Sequence, residues 1–241
     1  MSHFRDQGVV LRTMRLGEAD RIITLVTRNH GKVRAVAKGV RRTSSKFGAR
    51  LEPFSHVSFM GWQGRGDLDI VSQAEVIDTF RVVREDLDRT SVALSMLEVV
   101  DLVSQERHAN PPLYVMLVGA LGALARQPSP LLAPAFFLKV LALEGSAPVL
   151  DACASCGEAT PGSLVAFDLL DGGALCARCR RGRPLSPGAL DLLRRVLGGG
   201  LAGVLAEPRS SVTDEVASLA IEAIEVHLDR QLRSVRAVPT G

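Results

Sequence analysis

The sequence predicts an α+β protein in two parts, and three observations carry that reading. Five short segments rich in β-branched residues, separated by turn residues, fill the first 80 positions. From Val82 onward the apolar residues recur at helical spacing. Four cysteines in two C-x-x-C pairs interrupt the helical part. The expected domains are 1–80, a small barrel, and 81–241, all helical with an insert at about 150–182.

The strands come first. Gly8 to Met14, Arg21 to Thr27 and Lys32 to Lys38 read as β, with Gly17-Glu18 and Asn29-His30-Gly31 as turns. Alternation in the third strand puts Lys32, Arg34 and Lys38 on one face and Val33, Ala35 and Ala37 on the other. Phe54 to Met60 and Leu68 to Ile77 add two more strands. Five short strands in about 75 residues fit a closed barrel, for which the OB-fold is the five-stranded solution.

The helices follow. Ser91 to Arg107 carries Leu94, Leu97, Val100 and Leu102 near one stripe. Pro111-Pro112 opens the next helix, since proline is tolerated in a first turn. Through Ala125 that helix is apolar almost all round, which predicts a place at the centre of a bundle. Ala135 to Glu144 stops at Gly145, a plausible C-cap. Ser186-Pro187 starts another helix, and Thr213 to Leu232 is the last.

Composition bounds the function. At 46% hydrophobic the chain buries a real core. Its apolar runs, Leu113 to Ala125 and Leu131 to Leu138, fall short of the about 20 residues a bilayer requires. Met1 to Asp6 lacks the apolar stretch of a secretion signal, so a cytoplasmic protein is expected. Residues 1–50 hold twelve Lys or Arg against three acids, a balance of +9, whereas the remainder is −6. So concentrated a basic field attracts polyanions, nucleic acid above all.

The cysteines are the sharpest motif. Cys153-Ala-Ser-Cys156 and Cys176-Ala-Arg-Cys179 stand 19 residues apart. Each pair points two thiolates at one ion, and the two pairs complete a tetrahedral sulfur shell for one structural zinc. Gly157 suits such a knuckle by letting backbone N–H groups turn toward sulfur. Two disulfides fit a reducing compartment poorly, and a redox C-x-x-C needs no duplicate.

Between the third and fourth strands runs Lys38-Gly-Val-Arg41-Arg42-Thr-Ser-Ser-Lys46-Phe47-Gly-Ala-Arg50. Five cations among glycines and serines can follow a phosphate backbone. Lys32, Arg34, Lys38, Arg41, Arg42, Lys46 and Arg50 are therefore the expected nucleic-acid-binding residues. Phe47 either stacks on a base or anchors the loop in the core. Gly198-Gly-Gly200-Leu-Ala-Gly203 matches G-x-G-x-x-G but follows a helix outside any βαβ unit, so it has no dinucleotide scaffold. No P-loop, H-E-x-x-H or G-x-S-x-G occurs, and the five histidines are scattered. A non-catalytic protein is expected. Arg178, Arg180, Arg181 and Arg183 trail the second cysteine pair and suit either DNA or an acidic partner.

Several stretches in order resemble one family. Gly17-Glu-Ala-Asp-Arg-Ile-Ile-Thr-Leu-Val-Thr27 with His30-Gly-Lys32, then Lys38-Gly-Val-Arg-Arg42 leading to Leu51-Glu-Pro-Phe-Ser55, are similar to the RecO family of DNA recombination and repair proteins. The helical region with its four-cysteine insert and the closing His227-Leu-Asp-Arg-Gln-Leu-Arg-Ser234 match as well. The resemblance implies an OB-fold followed by a helical domain, with zinc in some members. It implies binding of single- and double-stranded DNA, annealing, and RecR-assisted loading of RecA onto DNA coated by single-stranded-DNA-binding protein (SSB). The acidic C-terminal tail of SSB docks on such proteins. A groove between helices with cations at its rim suits that tail, and Arg126 and Lys139 are the candidate cations. An RNA-binding factor of transcription or translation is the alternative that composition leaves open.

Overall fold

The computed structural model describes residues 3–42, 45, 47–64, 66–160 and 162–236. Strands β1 (His3–Leu16), β2 (Asp20–Thr27), β3 (Gly31–Ala37), β4 (His56–Trp62) and β5 (Asp69–Asp78) form a closed barrel in the order β1-β2-β3-β5-β4. The OB-like architecture is thus as expected. β1 is long because it serves two neighbours. Its first half pairs with β4, from His3↔Trp62 to Val9↔His56, and its second half with β2. A bulge between Val10 and Arg12 bends it between the two. A short parallel pairing, Ala35↔Asp69 and Val36↔Ile70, closes the ring.

Val10, Ile23, Leu25, Val33, Ala35, Val57, Phe59 and Val71 fill the barrel. The connection after β3 sends Val40, Phe47 and Leu51 into the same core. Phe47 is 1% exposed, so it anchors the loop; base stacking by this residue is excluded.

Ile22 to Thr27 are buried on both faces of β2. Ile23 and Leu25 point inward, while Ile22, Thr24 and Val26 lie on the outer side. Helices cover that outer side. After the single turn α1 (Arg81–Arg84) come α2 (Leu87–Val103), capped by Asp86, and α3 (Pro111–Arg126), which pack on β1 and β2. The expected stripe on the first long helix is rotated: Met96, Leu97 and Val100 are buried, while Leu94 is 38% exposed. α3 is not a central helix either. It buries Leu113, Tyr114, Leu117, Leu121 and Leu124 on one side and leaves Val115 59% exposed. One apolar side suffices against α2 and the barrel, so the other side meets solvent.

By compactness one unit runs through Arg126 and resumes at Arg233; the other is Gln127–Leu232. The returning α8 (Arg233–Arg236) donates the Arg233 and Ser234 backbone N–H groups to Glu98 of α2. In the second unit, α4 (Leu132–Leu143) is buried along most of its length and packs with α5 (Pro187–Gly198) and α7 (Ser211–His227). Gly145 at φ 78° ends α4 as expected, and Ser186 caps α5 ahead of Pro187. The short α6 (Leu201–Leu205) follows the glycine run, so G-x-G-x-x-G is a helix-to-helix turn. The insert holds a small sheet that the cysteine spacing does not announce: β6 (Leu164–Asp168), β7 (Gly173–Cys176) and β8 (Arg183–Pro184), in the order β7-β6-β8. No helix among the described residues is long and apolar enough to cross a membrane.

Candidate nucleic-acid interface and metal centre

An OB barrel commonly takes oligonucleotides on the outer face of strands 2 and 3 and on the loops beside it. Here helices occupy much of that face. Lys32 Nζ donates to the Asp101 carbonyl at 2.6 Å, and its side chain is only 16% exposed. Arg34 pairs with Glu106 at 3.5 Å, and Arg12 with Asp101 at 2.6 Å. The backbone beyond α2 also bonds to Lys32 on both sides, Lys32 N to Gln105 O and Arg107 N to Lys32 O. Gly31 accommodates this crossing, because a Cβ there would lie 2.1 Å from the His108 carbonyl oxygen. Two of the seven expected phosphate-binding cations thus have carboxylate partners on or just after α2.

The remaining described cations follow β3 at one end of the barrel. Arg41 N donates to Ala19 O, Gly39 N to the Asp20 carboxylate at 2.7 Å, and Arg41 Nη1 to Gly17 O at 3.2 Å. These bonds pin the loop after β3 to the β1–β2 turn. Lys38, Arg41, Arg42 and Arg50 are exposed there, while Lys46 lies outside the described residues. Arg15 joins them, although no sequence motif marks it. It is exposed and sits across from Arg21, whose own partner is Glu52. Only the cross-strand register reveals its place, and register is not written in local spacing.

The candidate metal site assembles from two turns. Cys153 and Cys156 flank a turn held to β7 by Ala154 N donating to Ala174 O, at 2.9 Å. Cys176 ends β7 and Cys179 follows in the next turn. The four sulfurs lie within 4.8 Å of one another, with Cys156 and Cys176 at 3.8 Å. A tetrahedral shell with metal–sulfur bonds of about 2.3 Å has sulfur–sulfur edges of about 3.8 Å, so the four thiols fit a metal ion. Gly157 takes φ 75° and closes the first turn by donating to Cys153 O. Backbone hydrogen bonding, chiefly from Cys176, brings the Cys153 thiol down to about 6. Hydrogen bonding from the Glu158 backbone and then from Arg178 lowers Cys156. Cys179 is pushed the other way, to about 11, chiefly by its hydrogen bond with Cys156. Crowded sulfurs ionise together only around a cation.

Three of the four arginines in and just after the second pair have partners inside their own unit. Arg178 donates to Cys156 Sγ at 3.6 Å, Arg181 pairs with Asp171, and Arg183 with Glu222 and Ser218. Arg180 is exposed. Arg126 is exposed at the end of α3 in the first unit; Lys139 is partly buried on α4 in the second. A groove of about 390 Å³ in the second unit is lined by Leu141, Val149, Phe167, Leu169, Val226 and His227, among others, and not by Lys139.

Comparison with known families gives two matches that together span nearly the whole chain. Residues 1–80 match the family model described as recombination protein O N terminal. Residues 84–236 match the one described as recombination protein O C terminal.

Proposed function

The chain belongs to the recombination protein O (RecO) family of DNA recombination and repair mediators, and from that premise we propose a non-catalytic mediator that binds single- and double-stranded DNA, anneals complementary strands and helps load RecA onto SSB-coated DNA. The observation that carries the reading is the pair of family matches over 1–80 and 84–236. The physical support is the basic end of the barrel. Lys38, Arg41, Arg42 and Arg50, joined by Lys46 and Arg15, take phosphates. Lys32 and Arg34 hold the helices to the barrel and add to the field. Two strands brought onto one cationic surface repel each other less, so annealing proceeds without ATP.

We assign the four-sulfur site to one structural zinc, held by Cys153, Cys156, Cys176 and Cys179; soft thiolates in a tetrahedron select it. What it supplies is a cross-link between the two turns. RecR and the acidic SSB tail are the partners that the family suggests, with Arg126 and Lys139 as cations toward the tail. Titrating a labelled acidic tail peptide into the full chain and into Arg126→Glu and Lys139→Glu variants tests that assignment; unchanged binding by both variants rejects the residues.

The functional test is competition on the full protein, followed by fluorescence anisotropy. Labelled single-stranded DNA is bound first, then challenged with unlabelled DNA or RNA of the same sequence, alongside an annealing assay with complementary strands. The expected result is annealing and a preference for DNA. Displacement by RNA at lower concentration, with no annealing, overturns the reading in favour of an RNA-binding factor.

A further inference from the structure

Among the described residues, β4 and its neighbours β1 and β5 present exposed or half-buried side chains on the outside of the barrel, in a regular pattern. Alternation along β4 turns Val57 and Phe59 into the core and Ser58, Met60 and Trp62 outward. The register sets His3 beside Trp62, Arg5 beside Met60 and Gln7 beside Ser58 on β1, with Ile70, Gln73 and Glu75 facing the same three residues from β5. The row through Trp62 and Ile70 continues to Val36 on β3, two residues before Lys38. At the far end of β4, His56 is buried against Tyr114 of α3, whereas Trp62 at this end is exposed.

Trp62 is the exception among the aromatic residues. The chain has eight Phe, one Tyr and one Trp. Phe47, Phe54, Phe59, Phe80, Tyr114, Phe136, Phe137 and Phe167 are buried, and Phe4 is partly buried against the barrel core. Trp62 is 37% exposed, with its ring 3.8 Å from that of His3 at an interplanar angle of 53°. The β4–β5 connection begins directly after it, the loop that borders the ligand cleft of an OB barrel. Exposed Arg5 lies on the same outer strip, and exposed Lys38 stands in the turn just after β3, two residues beyond Val36.

From this juxtaposition we infer that Trp62, flanked by His3, is a stacking platform for an unpaired nucleobase, with Arg5 and Lys38 taking the neighbouring phosphates. A π-face accepts any base, so the platform adds affinity for single strands without choosing a sequence. Bases in a duplex are already stacked and paired, so duplex binding gains nothing from it. The cations on the adjoining strip favour this occupant over an apolar protein segment. The inference rests on the DNA-binding reading above and gives it a single-strand contact.

Because Trp62 is the sole tryptophan, tryptophan emission excited beyond the tyrosine absorption band reports on this site alone. The experiment titrates the full protein with a short oligothymidylate and with a duplex, reading label anisotropy and tryptophan emission in parallel. Emission is expected to be quenched by the single strand in step with anisotropy, and much less by the duplex. Trp62→Ala should weaken single-strand binding by about 5- to 150-fold, from a stacking contribution of about 1–3 kcal/mol per base. Duplex affinity and the thermal midpoint should stay near wild type, and Trp62→Phe should restore most of the loss. Normal anisotropy with unchanged emission, and a Trp62→Ala variant that binds like wild type, overturns the platform and leaves DNA binding intact. No anisotropy change in the wild type overturns both. Emission that answers to a protein partner and not to DNA reassigns the surface to a protein contact.

Discussion

His56 Nε2 lies 2.6 Å from the Tyr114 hydroxyl, and both groups are buried where the first turn of α3 meets the start of β4. Burial lowers the His56 pKa from its ordinary 6.5, with Asp78 opposing more weakly, and pushes the Tyr114 hydroxyl up to about 12. The unfolded chain takes a proton near 6.5, which the folded one resists. Stability is therefore full above 6.5 and falls as pH drops from there through the lowered folded value. His56→Gln should flatten that part of the stability–pH curve, measured by denaturant unfolding between pH 5 and 8; an unchanged slope would show that His56 is not its source. Phe47 is the other instructive residue. A lone phenylalanine in a loop of glycines, serines and cations is compatible with a base-stacker as well as an anchor, and only barrel closure decides between them. Phe47→Ala should cost about 3–5 kcal/mol of stability, as for other buried aromatics. A loss below about 1 kcal/mol in the same unfolding assay would contradict its place in the core.

Among the elements, the strands are legible in the sequence because alternation and turn residues agree; four fall close to their expected positions, while β1 begins at His3 rather than Gly8, since its first half is recruited to pair with β4. The covering of the outer wall is signalled too, though indirectly. Ile22-Ile23-Thr24-Leu25-Val26 is nearly continuous in apolar character, the pattern of a strand buried on both faces. That pattern asks for a covering layer, which α2 and α3 supply. The third strand shows clean alternation, and its polar side looks like a binding face until Asp101 of α2 and Glu106 just beyond it meet Lys32 and Arg34. No local pattern encodes that meeting across about 70 residues. The small β6–β8 sheet is hard to see in sequence because its strands are short and lie between dominant cysteine motifs. The four ligands themselves are legible, since C-x-x-C spacing fixes both pairs locally. At this scale zinc is the test. Protein purified without chelator should carry one zinc per chain by elemental analysis. Cys→Ser at any ligand should raise hydrogen exchange in residues 150–182 while sparing the barrel. Absence of zinc, with free thiols or disulfides in its place, would contradict the assignment.

For the molecule as a whole, charge and compactness divide the work. The first fifty residues carry +9 and the rest −6, and the first unit joins the barrel to α1–α3 while the second holds the cysteine centre. The family match covers both parts, and the proposed phosphate binding distinguishes two sets of barrel cations. One set is exposed at the loop end; the other is tied to α2 and the residues just after it. Single-stranded DNA affinity measured over a series of salt concentrations separates them most directly. Arg41→Glu with Arg42→Glu should weaken binding for every sequence and lower the log–log salt slope by about 0.7 for each phosphate no longer neutralised. Lys32→Gln with Arg34→Gln should leave the slope near wild type and show its effect in unfolding instead. A loop variant that binds like wild type, beside a Lys32 and Arg34 variant whose slope falls, would contradict this division of the cations.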